Sequence, residues 1–342
     1  MPEGLLVWLR LRSVALLAGL LPCPLDLGWV RSIDWPLSSR SGGYSAVAFE
    51  PQQQHLWLLN DLPAADLSAW TLPTPRAESR LLSTLPLLAT GSEPKQPHPF
   101  ILDGEGLVLS GDQAWVASEG RRSRERPALL LRFSRKSGTL LQSVALPMAW
   151  QPGEQRGLES NQGPESLARL SREGARLELL MAAEVPLQQD PPDQVRLLRW
   201  WWPQGLDPST AAPLPAEQGA LQAPDQPGWG LTDLVVLHES DRGREAPMLL
   251  TLWRRYNEPL QWSNQLRIYP LPAVGTVAQA LHSWDLQSVG LTPENWEGMS
   301  IGPAMSAGQP SILLVSDDNL NPLQTSRLAV LEARRSPRCE TP

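Results

Sequence analysis

Short apolar runs broken by turn residues dominate the chain, at spacings that suit strands rather than amphipathic helices. Ser45–Phe49, His55–Asp61, Asp66–Leu72 and Arg80–Leu88 read as four consecutive extended segments. A second set opens at Asp103-Gly104-Glu105-Gly106-Leu107 and continues through Gln113–Ala117, Ala128–Phe133 and Leu140–Leu146. In it Gly111-Asp112 and Ser137-Gly138 mark tight hairpins. A third opens at Asn161-Gln162-Gly163-Pro164-Glu165-Ser166-Leu167, followed by Leu177–Ala183 and Val195–Trp202; the Pro-rich stretch 203–227 reads as a loop with at most one weak strand. Gly230-Leu231-Thr232-Asp233-Leu234 opens a fourth, continued by Met248–Trp253, Gln265–Tyr269 and Ala280–Leu286. Asn295-Trp296-Glu297-Gly298-Met299 opens a fifth, with Leu313–Asp317 and Ser326–Leu331 behind it. Leu167, Leu170, Leu177 and Leu180 would also fit a helix over 165–181, but Gly174 interrupts it and the repeat places two strands there.

The openings fall at Ser45, Glu105, Glu165, Asp233 and Glu297, spaced 60, 60, 68 and 64 residues apart. A period of that size is the mark of a radial array of four-stranded sheets. The fifth set has three strands, and Trp29–Trp35 is available to complete it. The expectation is an all-β chain folded as a single β-propeller of four-stranded blades, five of them countable, with a sixth left open in a long loop. Residues 1–24 read as a signal peptide or extension, 25–335 as the propeller and 336–342 as a tail.

Composition narrows the function. The chain has 342 residues and a net charge of −7 without a basic block, which disfavours a nucleic-acid partner. The His residues at 55, 98, 238 and 282 have no close metal-ligand spacing. Fifteen Trp supply rings large enough to fill the space between packed sheets, or to line a binding surface. Arg10 and Arg12 precede the apolar run Val14–Leu21, which is too short to span a membrane and resembles a secretory signal. Export is therefore expected, to the periplasm or outside the cell, against a buried first strand or a misplaced start. Cys23 and Cys339 stand at opposite ends of the chain, either as a clasp across the ring or as unrelated thiols.

In a propeller the first strand of each blade lines the central channel. Glu105, Glu165, Asp233 and Glu297 begin such strands, and Asp61, Glu119, Glu184 and Asp317 end the strands beside them. These acids should converge at one mouth. They would either hold a hard cation such as Ca²⁺ or accept backbone N–H groups of the next blade. Asp317-Asp318-Asn319-Leu320-Asn321 begins like a calcium loop, yet Pro322 and Leu328 occupy the positions where an EF-hand needs Gly and Glu. A looser calcium turn and a plain Asx-rich turn both remain. Gly298-Met299-Ser300-Ile301-Gly302 has the letters of a nucleophile elbow, but Ser300 falls inside a strand and no helix follows. Arg121, Arg122, Arg124 and Arg126 follow Glu119 closely, as a solvated loop or as a steering surface for an anion.

Gly43-Tyr44-Ser45 with Asn60-Asp61, Asp103-Gly104-Glu105-Gly106 with Ser118-Glu119-Gly120, Asn161-Gln162-Gly163-Pro164-Glu165 with Glu184, and Asn295-Trp296-Glu297-Gly298-Met299 with Ser316-Asp317-Asp318-Asn319 together resemble the bacterial phytase-like family with esterase-like activity. The resemblance covers roughly residues 40 to 333. It departs at Ser166, where the pattern has Gly, at Asn60, where it has Ser, and at Trp253-Arg254, where it tends to have Glu-Arg. The resemblance implies hydrolysis of a phosphate or other small-molecule ester at the acid-lined mouth; separately, a monomer with no stable membrane span is expected. Glu105, Glu119, Glu297 and Asp317 would be catalytic. Asp61, Glu165, Glu184, Asp233, Asp318 and Asn319 would hold Ca²⁺, and the arginines after Glu119 would bind substrate. The alternative is a non-catalytic binding propeller whose carboxylates are structural.

Overall fold

The computed structural model describes residues 25–35, 42–73, 78–89, 98–120, 127–159, 161–172, 174–238, 247–259, 261–305, 310–321 and 323–335. The signal-like segment before Leu25, both cysteines and Arg121, Arg122, Arg124 and Arg126 lie outside them. Five antiparallel sheets form the blades. Blade 1 is built from Tyr44–Glu50, His55–Asn60, Asp66–Thr71 and Leu81–Pro86. Blade 2 is built from Gly104–Ser110, Gln113–Ser118, Leu129–Ser134 and Leu140–Ala145. Blade 3 comprises Ser166–Arg169, Leu179–Ala182, Gln194–Trp201 and Leu214–Gln222, and Val277–Ala278 adds a short parallel edge. Blade 4 comprises Trp229–Leu237, Met248–Asn257, Gln261–Pro270 and His282–Asp285.

Blade 5 takes three strands from the end of the described chain, Trp296–Ala304, Pro310–Ser316 and Arg327–Arg335, and its outermost strand from the beginning, Leu25–Asp34. That strand runs antiparallel to the last one from Leu25↔Arg335 to Asp34↔Arg327, which closes the ring. The five-bladed count and the closing strand match the expectation. Among the described residues there is no sixth blade and no α-helix, and 165–181 supplies two strands. The reading of 203–227 was too open: Leu214–Gln222 is a nine-residue strand paired along Gln194–Trp201. Among the described residues, no helix is long and apolar enough to cross a membrane.

The burial pattern follows from the geometry of packed blades. Inner and middle strands are covered on both faces and read as apolar runs, as in Leu179–Ala182, whereas the outer strand Leu140–Ala145 alternates half-buried with exposed. The core lies between blades. Trp57, Leu67, Leu107 and Phe133 fill the space between blades 1 and 2. Leu180, Trp200, Leu231 and Trp253 fill the space between blades 3 and 4. Trp296, Met299 and Leu252 close blade 4 on blade 5, and Tyr44, Leu58 and Leu313 close blade 5 on blade 1. Trp115, Trp150, Trp200, Trp253 and Trp296 are fully buried, so much of the Trp content is wedge filling. Gly111, at φ +55 in the two-residue turn between Ser110 and Gln113, supplies a backbone conformation that an L side chain would resist.

Candidate functional site at the acid end of the channel

Each inner strand contacts the inner strands of both neighbouring blades, so the five form a closed ring around the channel. Every one carries a β-bulge near its start. In blade 2, Gly104 pairs with Ser118 and Gly106 with Ala117, leaving Glu105 extra. In blade 5, Trp296 pairs with Ser316 and Gly298 with Val315, leaving Glu297 extra. The same irregularity isolates Ser45 in blade 1 and Thr232 in blade 4. In blade 3 Glu165 lies between the Glu184 N–H to Gly163 O bond and the Ser166↔Ala182 pair. A bulge re-aims one side chain and is a common device beside active sites. Here it sets aside Ser45, Glu105, Glu165, Thr232 and Glu297 in turn.

This register shifts the reading of blade 4 by one residue. The ring position belongs to Thr232, and Asp233 stands one step further, where blades 2 and 5 have Gly106 and Gly298. Asp233 spends both oxygens on backbone amides, accepting from Leu234 N at 2.7 Å and from Met299 N of blade 5 at 2.6 Å. The expected metal role does not suit it; it locks two blades. The Thr232 hydroxyl does similar work, donating to Trp296 O at 3.2 Å, and Ser45 Oγ donates to Gly104 O of blade 2. Asp233→Ala leaves two buried N–H groups without an acceptor, and each such loss costs about 1–3 kcal/mol. The expected result is a variant destabilised by about 2–6 kcal/mol, read as a lower urea midpoint at unchanged m-value.

The second ring of positions lies at the ends of the second strands. Asp61, Glu119, Glu184 and Asp317 each donate a backbone N–H to the residue two before the bulge of their own blade, namely Gly43, Asp103, Gly163 and Asn295. Blade 4 has Arg254 at this place, paired with Gly230. Glycine at 163 and 230 lets the acid of the preceding blade come close. A Cβ on Gly163 would lie 2.3 Å from Glu119 Cγ, and one on Gly230 would lie 2.4 Å from Glu184 Oε1. Glu119 accepts the Gly163 N–H at 2.7 Å, and Asp318 accepts the Gly43 N–H at 3.0 Å.

The bulged glutamates and strand-end acids are brought together as expected. Glu105, Glu119, Glu165, Glu184, Glu297, Asp317 and Asp318 are only 3–9 % exposed. Burial is the main force raising the Glu105 carboxyl well above the ordinary range, followed by the charges of Glu165, Glu297, Glu119 and Asp61, which come from every blade but the fourth. Glu165 is raised by burial and by Glu184, Glu119 and Glu297, with Arg254 opposing. Asp317 is raised by burial, Glu297 and Asp61. Asp61 is pushed up to about 7 by burial, then by Glu297 and Asp103.

Arg254 places a guanidinium inside this ring. It donates through Nη1 to Asn295 Oδ1 at 2.6 Å and to Glu297 Oε1, and through Nη2 to Glu184 Oε1 at 3.2 Å. Burial raises Glu184 and Glu297 while Arg254 pulls both down. Asn295 completes that side, donating to Glu297 Oε1 at 2.9 Å and to Asp317 Oδ2 at 3.3 Å. The opposite side, in blade 2, is different: oxygens of Asp103, Glu105 and Glu119 lie within 4.8 Å of one another. Two ligands of one calcium ion, each at roughly 2.4 Å, are separated by at most about 4.8 Å. The donor set therefore fits a hard cation.

The structure also sorts the remaining expected residues. Asn319 does not join the ring; its side chain donates to Gln324 Oε1 at 3.2 Å, while its N–H caps Asp317 at 2.8 Å. With Leu320 N–H on Asp318, the segment is an Asx turn that fixes two acids. Ser300 lies in mid-strand, and its Oγ accepts the Phe49 N–H at 3.0 Å. Asp103, Arg254 and Asn295 were missed as site residues. Asp103 and Asn295 stand inside motifs whose glutamates draw the eye, and Arg254 ends a strand whose counterparts in the other blades end in acids. The Glu to Trp departure at 253 removes nothing from the ring, because Trp253 is fully buried in the core between blades 3 and 4.

Comparison with solved structures returns β-propellers at low similarity. The Myceliophteria thermophila Cps50 (Swd1) β-propeller domain has 10 % identity and a TM-score of 0.39, covering 84 % of this chain and 83 % of that one. The Pseudomonas aeruginosa periplasmic gluconolactonase PpgL has 16 % identity and a TM-score of 0.38, covering 82 % and 70 %. No curated protein matches the chain. The family model described as phytase-like, esterase-like activity of phytase, matches residues 39–320, and the chain belongs to that family.

Proposed function

We propose that this protein is a hydrolase of phosphate or other small-molecule esters, working at the acid end of the channel with a bound calcium ion. The observation that carries this reading is the convergence of Asp61, Asp103, Glu105, Glu119 and Glu165 around a buried patch where three carboxylate oxygens lie within ion-bridging reach. Asp103, Glu105 and Glu119 would hold the ion. Bound there, it supplies the positive charge that draws in a phosphate or carbonyl oxygen. Asp61, whose carboxyl is raised by burial and by the charges of Glu297 and Asp103, is the proton-exchanging group of this reading. It takes the proton of the attacking water as that oxygen bonds to phosphorus or the acyl carbon, and returns it to the departing alcohol. Glu297 and Asp317, held by Arg254 and Asn295, shape the far wall. Arg121, Arg122, Arg124 and Arg126 follow Glu119 in the sequence and would steer the anion. The leader-like segment would send the protein out of the cytoplasm.

A second reading, a binding propeller with structural acids, is favoured by Asp233, Glu119 and Asp318, whose oxygens accept amides of the next blade. Turnover separates the two. Purified protein assayed on phytate and p-nitrophenyl esters is expected to release product in calcium and to lose that activity in chelator. Absence of turnover in both conditions, with folding unchanged by chelation, leaves the binding reading.

A further inference from the structure

We infer that Arg254 is a tethered cation that fills one half of the acid ring and so confines a single divalent ion to the other half, against Asp103, Glu105 and Glu119. The inference rests on the calcium-assisted reading above and assigns what sets the number and place of the ions.

Arg254 holds the register position that Asp61, Glu119, Glu184 and Asp317 hold in the other blades, so a positive side chain stands where the repeat puts a negative one. It is anchored on both sides. Its guanidinium bonds Glu184 of blade 3 and both Asn295 and Glu297 of blade 5, and its Cζ lies 5.4 Å over the ring of Trp262. Glu184 and Glu297 face each other across the blade 4 sector and would otherwise be ligands in waiting, with Glu165 beside them. An arginine keeps its charge at any working pH, so this occupant never leaves. A divalent ion entering that sector would meet a fixed positive charge and acids already engaged.

Blade 2 offers the contrast. Glu105 is 8 % exposed, and among the described residues no donor bonds its carboxylate. Its oxygen lies within 4.8 Å of oxygens from Asp103 and Glu119. A buried carboxylate left without a donor is strongly disfavoured unless a cation or a proton reaches it. The unpartnered acid and the ion-sized spacing occur together on the side that Arg254 does not touch.

Calcium titration of the full chain, stripped with chelator and dialysed, tests this by calorimetry and by terbium luminescence. The wild type is expected to bind one ion. Glu105→Gln is expected to weaken that ion by about a hundredfold or more. Arg254→Gln, which frees Glu184 and Glu297, is expected to bind two ions, whereas Arg254→Lys stays at one. Two ions or none in the wild type, wild-type affinity in Glu105→Gln, or a folded Arg254→Gln that still binds one ion would each overturn the inference. If Arg254→Gln does not fold, Arg254→Lys and Glu105→Gln decide, since two ions in the first or unchanged affinity in the second has the same force. Ester turnover on the same samples keeps the readings apart. One ion without turnover removes the hydrolase and leaves the role of Arg254 intact; two ions with turnover do the reverse.

Discussion

Gly106→Ala is expected to destabilise the protein by about 3 kcal/mol, near the upper end of what overpacking in a tight interior costs. The residue follows the bulge of blade 2, where its strand runs against the inner strand of blade 3. A Cβ there would lie 2.5 Å from Leu167 N, 2.7 Å from Leu167 Cβ and 2.8 Å from the Ser166 carbonyl carbon. Most of these are backbone atoms, so relief requires moving one blade away from another. In a closed ring that displacement is passed to every interface. Gly298 makes the equivalent approach to blade 1, 2.8 Å from Ala46 Cα and 2.9 Å from Val47 N, and Gly298→Ala should behave alike. Gly28 in the outermost strand of blade 5 is the control, because nothing lies within 4 Å of its added Cβ. Gly28→Ala should leave the urea midpoint unchanged or raise it. Equal midpoints for Gly106→Ala and Gly28→Ala would show that the inner strands are not packed as described.

In the presence of chelator, stability is expected to fall as pH rises from about 4 to above 7. The ordinary carboxyl value of Asp61 is 3.8 and its folded value is about 7, so between these the folded chain binds more protons than the unfolded one. Stability then declines with rising pH across that window, by at most about 1.4 kcal/mol per pH unit for each proton involved. Glu105, Glu165 and Asp317 shift in the same direction, with burial as the first cause in each. His238, held below its ordinary value by burial and Arg172, works the other way, on the acid side of that ordinary value. It is one group against several. A bound cation neutralises the ring and should flatten the profile. Urea midpoints at pH 5 and pH 8, with chelator and with calcium, read the effect directly. A profile that is flat in chelator would mean that the acids are not crowded in the folded state.

Much of the architecture was legible because the repeat is carried by hydrophobic runs whose length and spacing the blades require. The closing strand could be placed because a ring with three strands in its last sheet needs one from the other end of the chain. Leu214–Gln222 was harder to see. It lies near the edge of blade 3, where little burial is demanded, and Pro215 and Gly219, the latter at φ +95, speak against a strand. The acids could be listed but not sorted. Asp233 and Glu297 look alike in sequence, as acids beginning apolar strands. A bulge of one residue sends Glu297 into the ring and leaves Asp233 against the amide of Met299. Bulge position depends on pairing with the second strand, which no single strand reveals. Arg254 gives no signal for the same reason, since its neighbours Glu184 and Glu297 lie on other blades.

The strand Leu25–Asp34 seated against Arg327–Arg335 has a consequence for the order of assembly. Each blade is built from local hairpins that can form as soon as its own residues are available, but blade 5 waits for both ends of the chain. Contacts so distant in sequence form late and slowly. Glu297 and Asp317 of blade 5 meet Asp61 of blade 1 only in that last step, whereas Asp103, Glu105 and Glu119 belong to blade 2 alone. Ring closure therefore completes the acid mouth, while the blade 2 cluster needs only its own sheet. A cation held by Asp103, Glu105 and Glu119 would then act on blade 2 before closure, lowering the repulsion that the last blade has to meet.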